Sequence, residues 1–99
     1  MQGHYPFAFE REMGCTEAEL RAWLPGAVRE APIVWRDQGA EIALDGGTAS
    51  IEWQPRAPRR IALIVLPILH VRFAAVNIDE ATWQRFMRYF DLYTQRGGG

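Results

Sequence analysis

The sequence predicts an α+β fold: one antiparallel sheet with two helices on one face, in the order β-α-β-β-β-β-α. Three observations carry it. Two-residue alternation of apolar and polar side chains marks Tyr5 to Met13 as a half-buried strand. A capping box at Thr16-Glu17-Ala18-Glu19 and an aromatic stripe from Trp83 to Tyr93 mark two helices. Gly46-Gly47 lies between two strand-like runs, as a tight hairpin turn does. At 99 residues the chain has room for one core. The expected organisation is a single domain over residues 1–96 and a frayed, disordered tail at residues 97–99.

In the first strand Tyr5, Phe7, Phe9 and Met13 point one way, and Ala8, Glu10 and Glu12 the other. Arg11 is the one charge on the apolar side. In the first helix the Thr16 hydroxyl accepts from the Glu19 amide while the Glu19 carboxylate reaches back. Leu20, Trp23, Leu24 and Ala27 follow at helical spacing, but Pro25 disfavours helical geometry at Leu24. The helix is therefore expected to stop near Leu24.

Ile33 to Arg36, Ala40 to Asp45 and Thr48 to Gln54 read as the next three strands. A two-residue turn at Gly46 and Gly47, both at positive φ, pairs Ile42 with Ile51 and Glu41 with Glu52. Residues 55–60 read as a loop. Ile61 to Val76 reads as one long strand, apolar to Leu69 and alternating beyond it, with Pro67 marking a bulge, a break or an edge. Asp79 caps the last helix.

This order of elements resembles that of the TATA-binding-protein-like and helix-grip folds. TATA-binding proteins read DNA through the sheet face, and larger helix-grip proteins hold apolar ligands between helix and sheet. The likeness is one of topology over the whole chain and carries no function with it.

Composition narrows the function classes. Apolar residues make up 48% of the chain, enough for a packed interior. The net charge of −1 argues against a dedicated nucleic-acid binder. The charge is uneven: residues 1–52 carry nine acids and four Arg, and residues 53–99 three acids and seven Arg. One half can attract the other half of a second copy, or the two can cancel within a monomer. All basic residues are Arg, which favours planar bidentate contacts and also fits a GC-rich coding bias. One Cys permits no intramolecular disulfide, so a reducing, cytoplasmic setting is expected. The start has no basic region leading into an apolar stretch, and the longest apolar run, nine residues, is too short for a spanning helix. No signal peptide, membrane association, cofactor or metal site is expected.

Five features bear on chemistry. Glu41 beside Glu52 would raise one carboxyl pKa or hold a cation; the plainer reading is an exposed pair neutralised by Arg36. His70 and Arg72 share a strand face and would hold an anion, with the imidazole passing a proton; the plainer reading is an ordinary solvated pair. Cys15, at a helix start, would be a reactive thiol if the dipole lowered its pKa; the plainer reading is a structural Cys. Arg56, Arg59 and Arg60 beside Trp53 form a basic loop for an anionic protein or, weakly, for single-stranded nucleic acid. Finally, Ile64, Leu66 and Ile68 oppose the other aliphatic residues of their strand. They are expected to form an uncovered apolar patch on the outer sheet face that a second copy covers. The leading expectation is a non-enzymatic, homodimeric binding module. The alternatives are a small-molecule-binding or enzymatic helix-grip domain and, third, a weak nucleic-acid binder.

Overall fold

The computed structural model describes residues 4–95, so the glycine tail expected at residues 97–99 lies outside the described residues. The elements run β1 (Ala8–Met13), α1 (Glu17–Ala27), β2 (Ile33–Arg36), β3 (Gly39–Leu44), β4 (Gly47–Ile61), β5 (Ile64–Val76) and α2 (Glu80–Gln95). All neighbouring strands are antiparallel, and the sheet order is β1-β5-β4-β3-β2. The expected architecture is present: strands β2 to β5 form a meander, and β1 closes it beside β5.

The helices pack on one sheet face. That face contributes Ala40, Ile42, Ala49, Ile51, Trp53, Leu69, Val71 and Phe73 to the core. The helices meet it with Leu20, Leu24, Trp83, Met87 and Phe90. The period-two and helical patterns cause this arrangement, because each places its apolar residues on one side. Arg11 lies on the same side without being an orphan. Its guanidinium donates two bonds to Asp91 of α2, at 2.7 and 3.1 Å, and lies over the rings of Phe9 and Phe73. The Tyr5 hydroxyl donates to the same carboxylate at 2.6 Å.

Helix α1 starts as expected. Thr16 Oγ1 accepts from the Glu19 amide at 3.1 Å, and Glu19 Oε1 accepts from the Thr16 amide at 2.9 Å. It does not stop near Leu24 but continues through Pro25 to Ala27. Burial of Leu24, Ala27 and Val28 outweighs the local cost of the proline. Gly26 permits the close approach of α2: a Cβ there would lie 2.2 Å from the Tyr93 hydroxyl oxygen. Asp79 Oδ1 caps α2 by accepting from the Thr82 amide at 2.8 Å, and this holds its carboxyl below the usual range.

Three expectations about the strands are corrected. The β3–β4 turn is Asp45-Gly46, with Leu44 opposite Gly47, and only Gly46 has positive φ, at 79°. Gly47 is required for a different reason, since a Cβ there would lie 2.0 Å from the Val76 carbonyl oxygen. Moving the turn by one residue shifts the register by two, which places Glu41 opposite Ser50, and Glu52 opposite Gly39 and Arg72. The expected Glu41–Glu52 pair does not form. Residues 55–60 are not a loop either. They continue β4, which pairs with β5 as far as Ile61 opposite Ile64. The apolar run from Ile61 is thus two strands joined by a turn at Ala62-Leu63, where Ala62 takes a left-handed φ of 54°.

Candidate functional site

The long β4–β5 hairpin outruns its neighbours. Strand β3 pairs with β4 no further than Glu52, and β1 pairs with β5 only from Leu69 to Ala74. Beyond these points the two strands form an arm without flanking strands or helices. Its prolines follow from that position. Pro55, Pro58 and Pro67 cannot donate to a ladder, and all three stand where one side of their strand has no partner. Pro67 also sits at a bulge: Ala57 and Pro58 on β4 oppose it between the Arg56–Ile68 and Arg59–Leu66 pairs.

The arm exposes large aliphatic side chains. Leu63 at its tip is 100% exposed, and Ile61, Ile64, Val65 and Leu66 are between 40% and 57% exposed. Of the residues expected to form an apolar patch, Ile64 and Leu66 are exposed and Ile68 is partly buried. The patch is on this arm rather than over the body of the sheet, which corrects the expected placement. Tyr5 and Pro6 do not cover it. They are bonded to α2 through Gln84 and the Trp83 indole, at 2.7 to 2.9 Å. Arg56, Arg59 and Arg60 are exposed along the same arm, and the only carboxylate near them among the described residues is Glu12, 3.8 Å from Arg59.

Over the body, the outer sheet face is polar. Arg72 lies opposite Glu10 on β1 and Glu52 on β4, and His70 lies opposite Glu12 and Gln54. His70 Nε2 donates to Glu10 Oε1 at 2.6 Å, and Arg72 Nε approaches Glu10 Oε2 at 3.9 Å. At the other edge Arg36 Nε donates to Glu41 at 3.2 Å. An open groove of about 720 Å³ runs between these clusters, and Glu41, Glu52, His70 and Arg72 line it. The fold brings together His70 and Arg72 as their spacing implies, adds Glu10 from β1, and leaves each cation of this face beside an acid. Among the described residues no group of three His, Cys, Asp or Glu side chains could hold a metal ion. No helix among them is long and apolar enough to cross a membrane.

Cys15 is buried, and burial followed by the Glu19 charge pushes its thiol up to about 11. Both causes disfavour the thiolate, the form that reacts. The sequence reading missed Arg21. Its guanidinium donates to Glu17 at 3.1 Å and to the carbonyls of Arg36 and Asp37 at 2.8 and 2.6 Å, and lies over Trp35 and Trp53. It clasps α1 to the β2–β3 turn. The Trp53 indole nitrogen makes no hydrogen bond of good geometry. Yet it is the first cause, ahead of Arg21, of the lowered Glu17 carboxyl. A contact too long or bent for a bond, but close enough to favour the carboxylate, accounts for both. The i,i+4 spacing of Glu17 and Arg21 was the available signal.

The chain has no significant match among family models, curated proteins or solved structures.

Proposed function

We propose that the protein is a non-enzymatic binding module that acts as a homodimer, with the β4–β5 arm of each subunit packed on the body of the other. The observation that carries this reading is the exposed aliphatic set at the arm tip. A two-stranded hairpin is marginally stable in water, and this one has no core of its own. Burying one large aliphatic side chain gains about 1.5–3 kcal/mol. Five such side chains supply a strong drive towards a cover.

Charge selects the cover. Residues 55–68 carry three Arg and no acid, whereas residues 1–52 carry nine acids against four Arg. Two arms laid side by side would repel. An arm against the acid-rich half of a second chain is attracted, and reciprocal exchange closes a two-fold dimer. The rival helix-grip reading needs an enclosed cavity between helices and sheet. Its polar residues Glu41, Glu52, His70 and Arg72 instead line an open face, which favours the binding module.

Sedimentation equilibrium of the full chain at micromolar concentration tests the proposal. The wild type is expected to be a dimer, and Leu63→Lys with Leu66→Lys a folded monomer. A wild type that stays monomeric at 100 times that concentration overturns it. So does a monomer that instead pellets with anionic lipid vesicles, since the arm would then serve a membrane surface.

A further inference from the structure

A second groove lies at the end of β4 away from the arm tip, between α2, the loop after α1 and the β3–β4 turn, with a volume of about 690 Å³. Its apolar lining includes Val28, Leu44, Phe86, Tyr89 and Leu92. Arg29, Arg85 and Arg88 also line it, against one carboxylate, Asp45. Among the described residues none of these three Arg takes part in a salt bridge. This contrasts with Arg11, Arg21 and Arg36, each of which is paired with an acid. One of the three cations is already in place: the Arg29 guanidinium stands 4.0 Å from the centre of the Tyr89 ring. The backbone holds it there at a cost. Arg29 and Glu30 take consecutive left-handed φ values of 56° and 62°, and their amides donate to the carbonyls of Gly26 and Pro25 at 3.0 and 2.9 Å, so the turn that closes α1 fixes where Arg29 leaves the backbone.

The geometry points to a binding site in this groove for a small carboxylate with an apolar body, aliphatic or aromatic. The groove has the volume of a small-molecule site. Phe86, Tyr89 and Leu92 offer a surface for the apolar part, and Leu92 is 52% exposed without a cover. Arg85 and Arg88 share one side of α2, three residues apart. With Arg29 across the groove they supply planar donors that match a carboxylate. A bare apolar ligand would leave these charges unmatched, and a bare inorganic anion would leave the apolar lining exposed. The site requires both properties in one molecule. It is independent of the arm.

The test is titration of the full-length protein by amide NMR with 1-naphthoate as probe and 1-naphthalenemethanol as its uncharged counterpart. Saturable shifts are expected at Val28, Arg29, Leu44, Phe86 and Tyr89, with the carboxylate about tenfold tighter than the alcohol, as one charge-assisted bond supplies. In Arg29→Gly/Arg85→Ala the ratio should fall to near one while the remaining spectrum is retained; glycine suits the left-handed position, so the fold is kept. Leu63→Lys on the arm should bind the probe as the wild type does. Equal binding of acid and alcohol overturns the site. So do shifts centred on residues 61–66, equal binding of inorganic phosphate, or the absence of saturation.

Discussion

At the scale of single residues, two adjacent glycines do different work. Gly46 supplies a left-handed backbone, and Gly47 supplies the missing Cβ that lets β4 lie against the carbonyls of Val76 and Asn77. Gly46→Ala should cost about 1–2 kcal/mol, the price of a left-handed alanine. Gly47→Ala should cost about 3 kcal/mol, because the obstructing atoms are backbone and move only with the end of β5. Urea denaturation midpoints of the two variants check this order, and the reverse order would mean that the turn is built differently. Cys15 and Tyr5 make a second prediction. Burial pushes the thiol up to about 11, and burial with the bond to Asp91 pushes the phenol up to about 12. Each acid has a higher pKa folded than unfolded, so between the two values the folded state holds the extra proton. Their stabilising contributions are complete below pH 9 for Cys15 and pH 10 for Tyr5. They fall away as pH rises through 11 and 12. The melting temperature should drop steeply across this range, and less steeply in Cys15→Ala. Parallel slopes in the two proteins would refute the part assigned to the thiol.

At the scale of elements, α1 depends on its first turn. Both arms of the capping box are formed, so Thr16→Ala should cost about 1 kcal/mol, which is roughly 4–8 °C in a domain of this size. An unchanged melting temperature would show that the cap carries no stability. The same helix shows where local rules stop being sufficient. The start of α1 was legible because a cap is a local arrangement of hydrogen bonds. Its end was not, because Pro25 sits inside a helix held by the burial of Leu24 and Ala27, which local sequence does not reveal. The strands divide in the same way. Alternation placed Val71 and Phe73 in the core and His70 and Arg72 outside it. The β3–β4 turn moved by one residue, and the register by two, because Asp45-Gly46 is as good a turn as Gly46-Gly47, and the choice lies in the contact of Gly47 with Val76. The turn at Ala62-Leu63 carries no Gly, Asn or Asp, the usual markers of positive φ. The nine-residue apolar run therefore read as one strand. For that reason the arm, and with it the location of the candidate interface, was hidden, although the excess of aliphatic residues there was visible. The outer-face cluster was half legible: His70 and Arg72 share a strand, but Glu10 joins them only because β1 pairs with β5.

At the scale of the whole molecule, the body and the arm should be separable. The buried residues all belong to the five-stranded body, its two helices and their connections, and none lies between residues 54 and 68. The structure measures 46 × 34 × 23 Å, elongated for a chain of this length. A body that draws no core residue from the arm should fold without it. Arg56 faces Ile68 across the ladder, so replacing residues 57–67 with Asn-Gly would close β4 onto β5 by a two-residue turn suited to antiparallel strands. The shortened chain is expected to keep the sheet and the core, and to melt at one temperature whatever its concentration. The complete chain, if it dimerises through the arm, should melt higher as its concentration rises, because association stabilises only the folded form. Calorimetry of both proteins across a hundredfold range of concentration separates the cases. A shortened chain that fails to fold would show that the arm belongs to the domain, and one that retains the concentration dependence would place the interface elsewhere. Replacing Arg56, Arg59 and Arg60 with Glu should weaken association while leaving the aliphatic tip intact, since the reversed arm would meet the acid-rich half of its partner with like charge.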